Sequence, residues 1–139
     1  MARFELTGIK ESNKLIKQAT VNINKALIDS MEEAGRMTSD IAKSNVVVET
    51  GLLRESIGFV TGTIDKTSFA VIGPRSGFRR DVVTRTGLVE TRNPIRYANF
   101  VETGTIHSGA KPFLRPALEA IKSKIPRIMG DSFAKFDLD

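Results

Sequence analysis

No proline interrupts the stretch from Ser12 to Asn45, and across it the apolar residues recur with helical spacing. Ile16, Ile23 and Met37 fall at one heptad-like position and Leu27, Ala34 and Ile41 at another. Leu15, Ala19, Ile28 and Met31 widen that stripe, while Lys14, Lys17, Lys25, Lys43, Asp29, Glu32, Glu33 and Asp40 fall mostly off it. The pattern predicts one amphipathic helix, capped by Ser12 or Asn13 and ending near Asn45. At 1.5 Å per residue such a helix spans ~50 Å, longer than the diameter expected of a single domain. It therefore needs extra cover, from a second helix or from a partner subunit. Gly35 is its weak point, about 1 kcal/mol less favourable than alanine.

The chain has 139 residues, the size of one domain, and a globule of that length folds without metals or disulfides. Cysteine is absent, which excludes disulfides, thiol nucleophiles and cysteine-based zinc sites. Residues 1–5 carry no signal-peptide core and no 18-residue apolar run occurs, so a soluble chain without a cleaved signal is expected, with no membrane partner. The formal charge is +5. Most of that excess is local: Arg75, Arg79, Arg80, Arg85, Arg92 and Arg96 stand against only Asp81 and Glu90.

Ahead of the helix, Phe4, Leu6 and Ile9 suit an edge strand or a cover over the core. After it, Val46-Val-Val-Glu49 breaks the period. Thr50 then caps one turn, Leu52–Ser56, with Leu52, Leu53 and Ile57 as anchors. Residues 57–65 and 69–73 read as two strands around a turn at Asp65–Ser68, closed by Pro74. Residues 75–94 are too long for an ordinary connection and read as a protruding, flexible, basic loop. Val82-Val83 and Leu88-Val89 around Thr86-Gly87 allow an extended hairpin arm there. Residues 95–103 suit a last strand, with Tyr97–Val101 as an alternative helical turn. Pro116 fits the first position of a C-terminal helix, with Phe113 and Leu114 folded back as a staple. Ala117, Leu118, Ile121 and Ile125 line its buried face. Pro126 should kink or end it, and Gly130 should stop it, leaving 131–139 as a loose tail or a short turn. The expected fold is α+β: long N-terminal and C-terminal helices packed on a small, mainly antiparallel sheet, all in one domain over residues 1–139.

Three motifs stand in order: Gly51-Leu-Leu-Arg-Glu-Ser-Ile57, Tyr97-Ala-x-x-Val-Glu-x-Gly-Thr105 and Lys111-Pro-Phe-Leu-Arg-Pro-Ala117. Together they resemble the HK97 gp10-like family of tailed-phage neck, head–tail joining and tail-completion proteins. The resemblance implies a virion structural protein without enzymatic chemistry, forming a ring of six or twelve copies at the head–tail junction. Its partners would be connector or portal-side and tail proteins, with DNA passing nearby unread. In the family pattern Gly51, Leu53, Arg54, Ser56 and Ile57, then Tyr97, Val101, Glu102, Gly104 and Thr105, then Pro112, Phe113, Leu114, Pro116 and Ala117 would be structural. The outward part of the long helix and the Tyr97–Thr105 edge would self-associate, and Phe100 would join the anchors.

The residues themselves offer little catalysis. His107, the one histidine, sits in a Gly/Ser/Thr link, and Ser108 beside it has no orienting third group. Glu102 reads as an ion-pair partner of Arg54 or Arg115 rather than a general base. No phosphate-cradle motif or zinc spacing is present, so no catalytic residue, cofactor or metal is expected. The arginine stretch has three readings: a solvated loop, a phosphate contact, or a dock onto an acidic face of a neighbour. The resemblance favours the last. A basic nucleic-acid-binding module is the alternative function, although only Phe78 interleaves with the arginines. A small hydrolase or toxin using His107 or Glu102 is a third.

Overall fold

α1, Ile9–Asn45, runs 37 residues without a break, about 55 Å at helical rise. The structure, a computed structural model, describes residues 8–49 and 51–136. The expected cover or edge strand at Phe4 and Leu6, and the Thr50 cap, lie outside those residues. The helix begins ahead of Ser12 and Asn13: Gly8, at φ 101°, precedes its first turn and accepts from the Ser12 N–H at 2.9 Å. Lys10 and Glu11 are good helix formers, so the helix continues back through them to the glycine.

The buried face of α1 differs from the expected stripe. It is built of small residues: Ala26, Ser30, Ala34, Thr38 and Ala42, each four apart, with Gly35 and Ser39 beside them. Leu27, Met31, Met37 and Ile41 are only half-buried flanks, and Leu15, Ile16, Ile23 and Ile28 are exposed. Small side chains win the central positions because they let neighbouring elements approach the helix closely. The hydroxyls do not go unsatisfied, since Ser30 and Thr38 each donate at 2.7 Å to the carbonyl four residues back.

Two layers share this helix as their platform. One is a hairpin of β1 (Ile57–Ile64) and β2 (Thr67–Pro74), paired antiparallel from Ile57↔Pro74 to Ile64↔Thr67. Its turn is two residues, Asp65 and Lys66, both at positive φ, which matches the twist of the strands. Against the same helix pack α4 (Leu114–Lys122) and α5 (Ile125–Ala134). The α+β class holds, with the strand material divided into two separate two-stranded sheets. The second is the arm, β3 (Arg80–Val83) against β4 (Val89–Arg92). Residues 75–94 therefore carry the hairpin arm that Val82-Val83 and Leu88-Val89 allow.

Between the arm and α4 the expected last strand is absent. A 3-10 turn, Pro94–Arg96, leads into α3, Ala98–Thr103. The Asn93 side chain accepts from the Ile95 N–H, and Pro94 opens the turn with φ already set, so Asn93-Pro94 acts as a helix start. The helical turn places Tyr97, Ala98 and Val101 toward the core and turns Phe100 outward, 56% exposed. Phe100 is not an anchor.

α4 starts two residues ahead of Pro116, which occupies its third position. Proline is tolerated there because the first-turn N–H groups have no partner within the helix. The interruption expected of Pro126 is present: α4 ends at a break at Ser123–Lys124, and Pro126 stands second in α5, which resumes the helical run. Gly130 is inside α5 and does not stop it; the helix continues to Ala134. Lys124, in the break, accepts from the Ile128 N–H at 3.0 Å, so little backbone bonding is lost.

Two clusters form the core. Ala42, Val46, Leu53, Ile57, Ala98, Phe113 and Ala117 meet in one, flanked by Tyr97, Val101 and Leu114. Ala34, Ile121 and Ile128 form the other. The Phe59 ring lies on Gly35, where a Cβ would stand 2.7 Å from its Cδ2. Glycine at 35 is thus a packing requirement. Gly35→Ala gains up to about 1 kcal/mol of helix propensity but overpacks the helix–hairpin contact by ~1–3 kcal/mol. A net loss of about 1 kcal/mol is expected, read as a Tm lower by ~3 °C; a raised Tm would show that the ring simply yields.

Candidate assembly surface

The joint between α3 and α4 is built around Glu102. Its Oε2 accepts from the N–H groups of Phe113 at 2.8 Å and Leu114 at 3.0 Å, and its Oε1 from Arg115 at 2.9 Å. Pro116 has no N–H to offer, so this one carboxylate satisfies every backbone donor from residue 113 to 116. Phe113, the N-cap residue, has no side chain able to do so. Burial raises the Glu102 pKa, but the three backbone bonds, helped by the Arg115 charge, outweigh it and hold the carboxyl below its ordinary value. The ion pair expected with Arg54 or Arg115 is not what positions this side chain: Arg115 contributes chiefly through its backbone N–H.

The link that carries Glu102 to α4 is equally constrained. Gly104, at φ 80°, comes so close to the next turn that a Cβ would lie 2.7 Å from the Ala110 nitrogen. Thr105 closes the loop, its backbone paired with Ser108 and its hydroxyl accepting from the His107 and Ser108 N–H groups. Lys111 then donates to the Val101 carbonyl at 2.8 Å. His107 is exposed beside Ile106, which is 95% exposed at the loop tip.

The six arginines divide. Arg75 belongs to the body: its guanidinium donates to the Glu55 carbonyl at 3.0 Å and the Ser56 carbonyl at 3.4 Å, and lies over the Phe78 ring. Those carbonyls end α2 (Leu52–Ser56), where a cation suits the helix dipole. Arg80 pairs with Glu55 at 2.7 Å, fastening the base of the arm, and Arg92 pairs with Glu90 at 3.5 Å. The side chains of Arg79, Arg85 and Arg96 make no ion pair with the described residues. Arg85 stands in the Thr84–Leu88 turn at the arm's tip, where Gly87 takes φ 81°.

Three further features stand out on the surface, of which the groove and the cleft had no signature in the sequence. A groove of about 450 Å³ opens where the arm meets the C-terminal end of α1, with Arg54, Arg92 and Arg96 against walls of Val47, Val48 and Leu53. Tyr97 stands in it; burial pushes its hydroxyl above the ordinary value, Arg92 pulls it back and Glu49 adds to the rise. A wider cleft of about 810 Å³ lies between α1, β1 and α5, with Asp29, Glu32 and Glu33 on one wall and Lys124, Arg127 and Lys135 on the other. Finally, large apolar side chains are exposed at many points of the surface, two groups of them among the rest. One is the first half of α1, at Leu15 (68% exposed), Ile16 (63%), Val21 and Ile23. The other is the outer hairpin face, at Val60, Ile64 and Val71.

Of the residues singled out in the sequence, the structure brings Leu53, Ile57, Tyr97, Val101, Phe113, Leu114 and Ala117 into one cluster. Glu102 and Gly104 support that cluster from the rim. Of the unpaired arginines, Arg96 lines the groove beside Leu53, Tyr97 and Val101, whereas Arg85 stands at the arm's tip. Among the described residues no group of acids and histidine could hold a metal ion, and no helix is long and apolar enough to cross a membrane. Compared with protein-family models, with curated proteins and with solved structures, the chain finds no match in any of the three.

Proposed function

We propose that this chain is a virion structural protein of a tailed phage or prophage, made in the bacterial cytoplasm and assembled into a ring at the head–tail junction. The reading rests on the resemblance of the three motifs together with one structural observation. The first half of α1 projects with Leu15, Ile16, Val21 and Ile23 uncovered, while its second half is buried. Leu15, Ile16 and Ile23 share one face of the helix, and a row of large apolar side chains left exposed among the described residues is the mark of an interface. Contacts between unlike faces of identical copies close into rings, and six or twelve copies suit a neck. The arm, its base fixed by Arg80 and Glu55, would meet a connector, portal-side or tail protein, with DNA passing without being read.

Light scattering over a concentration series at two salt levels tests this. A discrete multimer that survives salt is expected, and Leu15→Glu with Ile16→Glu should reduce it to a monomer without lowering Tm by more than ~2 °C, both sites being exposed. A double variant with unchanged mass would remove α1 as the seam. One observation favours the nucleic-acid alternative: Arg79, Arg85 and Arg96 carry no ion pair among the described residues. Binding through phosphate would weaken steeply between low and moderate salt, whereas an apolar seam would not.

A further inference from the structure

The arginine groove is cationic and apolar at once. Arg54, Arg92 and Arg96 face one carboxylate there, Glu49, and Val47 and Val48 beside them are more than half exposed. Arg92 is shared with Glu90, but Arg54 and Arg96 form no ion pair with the described residues. Such a lining fits an extended segment that alternates acid and apolar side chains: guanidinium groups take the carboxylates and the valines take the residue between them.

The chain carries one such segment, Asp137-Leu138-Asp139. It follows Phe136, whose ring lies under the Lys25 ammonium at 5.6 Å, on the first half of α1. From Lys25 to Val46 the helix runs about 30 Å, while three extended residues reach only ~10 Å. These three residues cannot reach the groove of their own chain. Residues 1–7 leave from Gly8, farther still along the same helix. We infer that the groove receives Asp137-Leu138-Asp139 of a second copy, linking the α5 end of one subunit to the α1–arm corner of the next. This deepens the ring reading and rests on it for the presence of a neighbour. The contact is between unlike faces, as ring closure needs.

Tyr97 is the only tyrosine and tryptophan is absent, so intrinsic emission reports the groove directly. The experiment titrates a peptide of residues 133–139, which lacks tyrosine, into the dilute full-length chain. A saturable change in Tyr97 emission is expected. Affinity should fall at least tenfold for Arg92→Glu with Arg96→Glu, and equally for a peptide with Asp137→Asn and Asp139→Asn. No saturable change, or binding that ignores the acids, would overturn the inference. Equal binding of a scrambled peptide would overturn it too, leaving a general acidic-peptide groove. The dilute chain needs no ring for this measurement, so its failure and the failure of the α1 seam are read separately.

Discussion

Replacing Glu102 by glutamine is expected to destabilise the fold by ~2–3 kcal/mol, a Tm lower by roughly 10 °C. The carboxylate accepts three backbone N–H bonds at the start of α4, from Phe113, Leu114 and Arg115. Glutamine keeps one acceptor oxygen, but its amide turns two donors toward a cluster of donors and the charge facing the helix N-terminus is lost. Ordinary N-cap losses run to about 2 kcal/mol, and this cap serves more donors than most. The pH dependence has a definite sign. The folded-state pKa of Glu102 is lowered, so its stabilisation is fully present above the unfolded carboxyl value of about 4.3 and is lost as pH falls through the folded one. Melting curves should therefore show the wild-type advantage over Glu102→Gln at neutral pH shrinking below pH ~4. A difference that stayed constant into acid would mean that the charge does not matter.

Phe113→Ala should cost more, ~3–5 kcal/mol, enough to remove a third or more of the stability typical of a small domain. The ring is fully buried where α1, α2, α3 and α4 meet, and its contacts hold the three motifs together. Its deletion leaves a cavity among Leu53, Ile57, Ala98 and Ala117, side chains mostly too short to refill it. Phe100→Ala supplies the contrast, with an expected change within ~0.5 kcal/mol because that ring faces outward. Urea unfolding of the pair discriminates between structures for residues 97–103. A strand with Phe100 inward would give comparable losses; the α3 turn gives one large and one negligible.

Much of this could be read from the residues. The length and unbroken helicity of α1 follow from a proline-free stretch with a steady period, and the β1–β2 hairpin follows from apolar runs around a polar turn. The anchors Leu52, Leu53, Ile57 and Phe113 stand out because large apolar residues beside a glycine or proline have few places to go. Even the excess of arginine in the arm is visible. Its allocation is not, since a guanidinium that ends α2 and one that meets solvent are identical in sequence.

Sequence alone determined where the long helix and the two hairpins form, because local backbone preference and periodicity are properties of neighbouring residues. Tertiary structure decided which face of α1 is core: the small-residue row from Ala26 to Ala42 wins because Phe59 and the C-terminal helices demand close approach. It decided that residues 97–103 coil rather than extend, since that turn aims Glu102 at α4 across eleven residues of chain. It also gathered Arg54, Arg92 and Arg96 around Tyr97 from separate segments. Each of these rests on contacts between residues distant in the chain, and no local pattern encodes which distant atom will arrive.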